Sequence, residues 1–285
     1  MKMGLARDFV AITKMPQTAV LTFTALIGYM TPRAPFSAQR LFIVLISELA
    51  AISGTTMVNM YHDKDIDIIM SRTKARPIPS GRMAAPAVLA WGYLLFCAGL
   101  LLSLLVSYVF ALTIFAGYAF DIWVYTLALK RRSVWNIVFG GVAGAMPILG
   151  GWVARTGSVG LGGILMFSLI MFWIPLHTWV IALINREDYK KACIPMASLT
   201  SSANTVFLLL FFTLAAFFFV TVEMALIGIT TFITPLISGV MIALLMSLIY
   251  RSVVQGATSL LRPSQMIAHV FLLTTLLSIL MVAIA

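Results

Sequence analysis

An all-α polytopic membrane protein, a bundle of nine transmembrane helices with its functional loops on one face, is the fold class this sequence predicts. Three observations predict it. The 285 residues are 61% hydrophobic and 10% charged, with mean hydropathy +1.05. Apolar runs of bilayer-crossing length, roughly 20 residues each, recur from one end to the other. The charges between those runs alternate in density from loop to loop, as they do when successive loops face opposite sides of a membrane. Lipid offers backbone amides no hydrogen-bond partner, so runs this continuous are read as helices.

In chain order the expected spans are 14–31, 39–61, 86–107, 109–128, 135–154, 163–183, 204–222, 226–249 and 266–284. They form a single transmembrane domain over 1–285. The first follows Lys2, Arg7 and Lys14; it is too long for a signal-peptide core and lacks a small-residue cleavage pattern, so it is read as a helix that stays. The second is expected to continue as helix beyond the membrane surface. Only a short turn near Ser107 separates the third from the fourth. In the fifth, the small residues of "GGVAGAMPILGG" at 140–151 suit close helix approach, and Pro147 is expected to bend the span. Cys97 and Cys193 lie on separate segments and define neither a disulfide framework nor a cysteine metal site.

Nine spans put the amino terminus and the loops after spans two, four, six and eight on one side. That side then holds sixteen of the nineteen Lys and Arg residues, leaving Arg33, Arg40 and Arg155 opposite. The positive-inside rule makes the crowded side cytoplasmic and the protein a multi-pass protein of the cell (plasma or inner) membrane. The net charge of +10 thus follows topology, and nucleic acid is not an expected partner.

The loop after span two is the densest in charge. In "VNMYHDKDIDIIMSRTKARPIPSGR", residues 58–82, stand three of the nine acids and five bases. Asn59, Asp63 and Asp67 recur every four residues; on one helix they form a slowly drifting stripe along roughly 12 Å of axis. Asp65 falls off it. With no Pro or Gly before Pro77, the helix is expected to run to about residue 76. Carboxylates and an amide a turn apart suit a hard cation such as Mg2+, which is usually shared between one or two carboxylates and substrate phosphates. Arg72, Lys74 and Arg76 supply phosphate partners. The bland alternative is a solvated loop kept on its side of the membrane by charge. A second loop on the same side, "INREDYKKACIPM" at 184–196, again mixes acids (Glu187, Asp188) with bases (Arg186, Lys190, Lys191). Two acidic clusters on one face could clamp a diphosphate through two Mg2+ ions and stabilise it as a leaving group.

At these residues the chain resembles the UbiA superfamily of intramembrane prenyltransferases, whose first motif reads NxxxDxxxD after the second helix. Within it the chain is more similar to the protohaem IX farnesyltransferase branch, through "NMYHDKDIDIIMSRTKARPIPSGR", "YTLALKRRSVWNIVFGGVAGAMPILGGWVARTG" and "WIPLHTWVIALINREDYKKACIPM". These cover most of residues 58–196. The pattern departs where His177-Thr178-Trp179 replaces the usual HFW, and where Glu187 and Asp188 replace two Asp residues a turn apart. Residues 200–285 match only as generic helices.

The resemblance implies transfer of farnesyl from farnesyl diphosphate to a vinyl group of haem b, with addition of water and release of diphosphate. It implies Asn59, Asp63, Asp67 and Asp188, with Glu187, as Mg2+ ligands, and Arg72, Arg76, Lys130 and Lys190 as diphosphate contacts. His177 is a candidate haem ligand or propionate partner and equally a hydrogen-bonding core residue; Tyr125 is a candidate haem contact or an ordinary interface aromatic. His62 and His269 are read as structural. Glu48 and Asp121 fall inside spans, where a carboxylate should face a cavity or a partner, and no motif accounts for them. Two other activities fit parts of the pattern. One is prenylation of a quinone-type aromatic acceptor; the other is ion-coupled transport, for which paired broken helices are not visible. Association with a downstream haem-modifying enzyme is compatible with the leading activity and is written in no motif.

Overall fold

The computed structural model describes residues 2–284, and every regular element among them is helical. Met1 and Ala285, the ends of the expected domain, and the side chain of Lys2 lie outside the described residues. In chain order the helices are α1 (Lys2–Ile12), α2 (Met15–Met30), α3 (Ala38–His62), α4 (Lys64–Ile69), α5 (Ala85–Leu104), α6 (Tyr108–Leu129), α7 (Asn136–Thr156), α8 (Gly160–Ile184), α9 (Arg186–Lys191), α10 (Ala197–Thr200), α11 (Ala203–Leu226), α12 (Ile233–Val254) and α13 (Leu261–Ile284). Among the described residues, eight helices are long and apolar enough to cross a membrane. The pair α1–α2, bent by 55° at a short break, makes a ninth.

The break in that pair has a local cause. Pro16 sits in the first turn of α2 and cannot donate the amide that would continue α1. Lys14, just before it, takes the left-handed conformation at φ 44° and ψ 49°, uncommon for a residue with a Cβ. Between α5 and α6, Ser107 caps the new helix by accepting from the Phe110 amide at 3.1 Å.

Two expectations need correction. The eighth span does not begin at 226. Leu226 ends α11, and Gly228 at φ 76° turns the chain while the Gly228 and Ile229 amides donate back to Ala225 and Met224. This is a Schellman closure, which needs a left-handed residue at the glycine position; α12 starts only at Ile233. The helix through the acidic loop also stops at Ile69, not near 76. Asp63 interrupts it at φ −90° and ψ 0°. From Met70 the chain then winds into turns, held by the Thr73 hydroxyl donating to the Asp67 carbonyl at 3.0 Å.

Close backbone contact organises the bundle. A Cβ on Gly28 would stand 2.0 Å from the Ile148 carbonyl oxygen, and one on Gly151 the same distance from that of Ala25, so at these two positions α2 and α7 approach closely only because the residue is glycine. Gly54 likewise meets the backbone of α5 at Phe96. On the far side, Arg155 of α7 donates to the carbonyls of Tyr29, Met30 and Ala34, closing the exposed end of α2. α8, α11 and α13 complete the bundle around an apolar cluster that includes Met166, Leu210, Phe217 and Phe271. Between these two halves a cavity of about 680 Å³ remains.

Candidate active site

The cavity has a charged end and an apolar body. At the charged end stand Lys14, Asn59, Asp63, Asp67, Arg72, Arg76, Asp121 and Lys130; along the body stand Ile52, Ile114, Met146, Pro147 and Ile174. The stripe of Asn59, Asp63 and Asp67 survives the helix break because the break is one residue wide. The Asp63 amide donates to the Asn59 carbonyl at 3.0 Å and the Asp67 amide to that of Asp63 at 2.8 Å, so helical register passes straight through. All three side chains are buried, at 5%, 3% and 3% exposure.

Each stripe residue is held by a partner from elsewhere. Asp63 Oδ2 accepts from Lys130 Nζ at 2.5 Å. Asp67 accepts from Arg76 Nη1 with both oxygens, at 2.9 and 2.8 Å. The Asn59 amide donates to Thr126 Oγ1 at 2.7 Å, and Lys14 Nζ donates to Asn59 Oδ1 at 3.4 Å. The turns after Ile69 explain the second contact: only a chain that folds back over Asp67 can return Arg76 to it. Asp65, off the stripe, is exposed and forms a two-pronged pair with Arg131 at 2.6 and 2.7 Å. Hydrogen bonding from Arg131 holds the Asp65 carboxyl below its ordinary pKa.

Lys130 reaches Asp63 because the end of α6 is wound as a π-helix over Phe120–Leu129. At about 100° per residue, α-winding sets residues nine apart on opposite sides. The wider i→i+5 winding brings Asp121, Tyr125 and Lys130 to one cavity wall. The Lys130 ammonium lies 5.4 Å from the Tyr125 ring centre, within cation–π range.

The second loop behaves differently. Asp188, on the short helix α9, accepts from the Ser71 hydroxyl and from the Arg72 amide at 3.2 Å. The Ser71 bond depresses its pKa. Its carboxylate therefore pins the two loops together. Glu187 is exposed and pairs with Lys190 at 3.5 Å, one turn along the same helix. None of Glu187, Asp188 and Lys190 lines the cavity; Tyr189 and Ile194 of that loop do.

Four residues that motif reading left aside also line the cavity: Lys14, Glu48, Asp121 and His269. Glu48 sits deep among helices, where the missing Cβ of Gly150 leaves it room. His177 lines the apolar body with its ring stacked on Trp173.

Asp63 Oδ1 is buried with no hydrogen-bond partner, so part of its charge is uncompensated. With Asn59 and Asp67 it forms an oxygen-only donor set, which is what a hard cation such as Mg2+ takes. Among the described residues no three His, Cys, Asp or Glu converge to cage a metal. The set therefore fits a cation that shares its shell with phosphate or water. Glu187 and Asp188, as placed, do not fit a second such site.

A buried cation-and-carboxylate cluster opening into a greasy channel suits a substrate with an anionic head and an apolar tail. The sequence profile described as the UbiA prenyltransferase family matches residues 20–264. The chain belongs to that family. It is thus a prenyltransferase, and it is similar to the protoheme IX farnesyltransferase of Archaeoglobus fulgidus, 45% identical over 191 residues, 67% of each chain. To the protein of that name from Aeropyrum pernix it is 36% identical over 245 residues, 86% of this chain and 81% of the other. Its fold superposes on a UbiA homolog from Archaeoglobus fulgidus bound to DMAPP and Mg2+ with TM-score 0.68 at 14% identity, covering 96% and 99% of the two chains. The prenyltransferase is thus a multi-pass membrane protein with its candidate site at one end of the bundle.

Proposed function

We propose that this prenyltransferase moves the farnesyl group of farnesyl diphosphate onto a vinyl group of protohaem IX, with addition of water. One unit, residues 1–285, would carry the whole activity. The observation that carries the reading is the single cavity joining the Asp63–Lys130 and Asp67–Arg76 pairs to an apolar channel walled by Trp173 and His177. The names of relatives 36–45% identical support the acceptor.

Asn59, Asp63 and Asp67 would hold Mg2+, which when bound supplies charge neutralisation at the diphosphate. The chain's own cations do the rest of that work. Lys14, Arg72, Arg76 and Lys130 outnumber the carboxylates of Asp63, Asp67 and Asp121 at the charged end, leaving an excess of positive charge where the leaving group gathers negative charge. Fixed charges at a site shielded from water are worth more than the same charges in water. As the allylic C–O bond breaks, the electron pair leaves with the diphosphate and C1 of the farnesyl chain becomes electrophilic. The terminal vinyl carbon bonds to C1, the inner vinyl carbon becomes cationic, and water adds there. The proton that water releases leaves with the diphosphate. The apolar lining keeps water from C1 until the new bond has formed. Asp188 acts by holding the second loop against residues 71 and 72, while Glu187 and Lys190 pair with each other on its exposed face.

The site would open toward the cytoplasm in the cell (plasma or inner) membrane, since the loops on that face carry most of the basic residues. The test is incubation of the purified protein with farnesyl diphosphate and Mg2+, offered either haem b or 4-hydroxybenzoate, with mass analysis of the products. A farnesylated, hydrated haem is expected. Prenylation of the aromatic acid alone, or passage of an intact solute across proteoliposomes without diphosphate release, would overturn the proposal.

A further inference from the structure

The last helix contributes a side chain that no motif marks. His269 of α13 lines the cavity beside His177 and Trp173 of α8. Its Nδ1 stands 2.7 Å from the Gln265 carbonyl oxygen. A carbonyl only accepts, so Nδ1 carries the proton and Nε2 keeps its lone pair. A ring nitrogen tied to a backbone carbonyl is the usual support behind a metal-bound imidazole, because it fixes both tautomer and ring plane. Two more contacts hold this ring in place. It packs edge-to-face on Trp173 and His177, with centroids 5.6 and 4.6 Å away. Trp173 Nε1 also donates to the Ala268 carbonyl at 3.0 Å, locking α8 to α13 at the residue next door.

His177 lacks that support. Its Nδ1 is buried without a partner, and its ring lies flat on Trp173 at 4.5 Å and 12°. The two histidines cannot both be axial ligands of one porphyrin. Axial nitrogens on opposite faces are about 4 Å apart, with the rings further out on either side; centroids 4.6 Å apart leave no room for an iron and a macrocycle between them. Along their helices, His177 lies seven residues before the end of α8 and His269 eight after the start of α13. At about 1.5 Å per residue both rings therefore sit some 10–12 Å below the charged end. His269 is itself exposed, so the cavity is open to the bundle's surface at this point.

We propose that His269, through Nε2, is the single axial ligand that holds the iron of the haem substrate, with the Trp173–His177 stack as the wall beside it. The proposal rests on the haem reading given above. One protein ligand leaves the opposite axial position free, which suits a molecule that must leave after reaction. It also places the acceptor below the charged end, on the side to which an apolar farnesyl chain extends.

The test uses the full-length protein in lipid nanodiscs, titrated with ferric haem b and followed by absorption and electron paramagnetic resonance. Wild type should give a saturable, single-imidazole spectrum. His269→Ala should lose that signature and regain it with added imidazole, whereas His177→Ala should keep it. Elution profile and thermal transition confirm that each variant is folded. An unchanged spectrum in His269→Ala, loss only in His177→Ala, or no imidazole signature in wild type overturns the proposal. Extracted haem is analysed by mass in parallel with farnesyl diphosphate. Farnesylated haem alongside an unchanged His269→Ala spectrum sinks the ligand assignment alone. An imidazole signature that depends on His269, with prenylation only of another acceptor, supports the assignment and overturns the haem reaction.

Discussion

Lys130 and Arg131 are neighbours in sequence, and each pairs with an aspartate of the same acidic loop. Their burial predicts opposite consequences of removal. The Lys130 and Asp63 side chains are 13% and 4% exposed, against 46% and 58% for Arg131 and Asp65. Lys130→Met strands the Asp63 carboxylate, whose other oxygen already lacks a partner. Removing one member of a buried pair costs about 3–5 kcal/mol, roughly a 10²–10³-fold shift or more in the folding equilibrium. Arg131→Met breaks a pair that solvent screens and should cost about 0–1 kcal/mol. For turnover, losing a cation aimed at the departing diphosphate is expected to lower kcat by about 10²–10³-fold; Arg131→Met should leave it within a few-fold. The double variant Lys130→Met with Asp63→Asn separates the two effects. It removes the stranded charge, so it should regain much of the stability and none of the rate. Unfolding in mixed detergent micelles and diphosphate release read the two quantities. Equal stability losses for Lys130→Met and Arg131→Met would refute the reasoning, as would a double variant that regains turnover.

The aspartates of the loop should follow the same division: Asp63→Ala and Asp67→Ala abolish Mg2+-dependent diphosphate release, while Asp65→Ala is mild. Comparable losses at all three would mean the stripe does not define the site. Gly28→Ala and Gly151→Ala place a methyl 2.0 Å from a carbonyl oxygen of the facing helix, and should each destabilise by about 1–3 kcal/mol or more. Gly239→Ala, whose Cβ would meet only Phe218 at 3.6 Å, gives the control, and thermal melts in detergent rank the three. Asp188 yields a pH signature. Its folded-state pKa is depressed by the Ser71 bond, so it adds stability above the unfolded value of about 3.9, and that stability is lost as pH falls through the folded value. Asp188→Asn should flatten the acid limb of a stability–pH profile from about pH 5 downward; identical acid limbs would show that the loop contact contributes nothing.

What could be read from sequence divides along the kind of periodicity that carried it. The spans were legible because lipid demands long apolar helices, and their boundaries erred only where short-range chemistry intervened. Gly228 closes α11 five residues before α12 begins, inside a run that hydropathy alone reads as continuous. In the acidic loop, periodicity put Asn59, Asp63 and Asp67 on one face, and the i→i+4 hydrogen bonds between them keep that face across a break nothing in the residue pattern announces. The cause of the break is tertiary. Asp67 is paired with Arg76 nine residues on, and no continuous helix to residue 76 could make that pair. In the second loop, charge composition pointed to Glu187 and Asp188 as a metal pair and carried no sign of the contacts that Asp188 makes. Asp188 is committed to Ser71 and Arg72, contacts that span more than a hundred residues of chain.

The π-wound end of α6 joins these cases. Read at 3.6 residues per turn, Asp121, Tyr125 and Lys130 point different ways, so the intramembrane aspartate looked unrelated to the lysine that holds Asp63. Thr126 shows what the wider turn achieves. Its hydroxyl donates to the Asp121 carbonyl five residues back, at 2.7 Å, and the same oxygen accepts from the Asn59 amide. The hydroxyl that bonds back across the π-wound turn is thus also the acceptor that orients the first residue of the stripe. The same geometry sends Lys130 to the next residue of the stripe, since its amide bonds to the Tyr125 carbonyl at 2.7 Å. A segment wound as α would satisfy its own backbone equally well and place neither contact. The irregular winding of α6 is therefore held by α3 across the cavity, and the site and the irregularity stand or fall together.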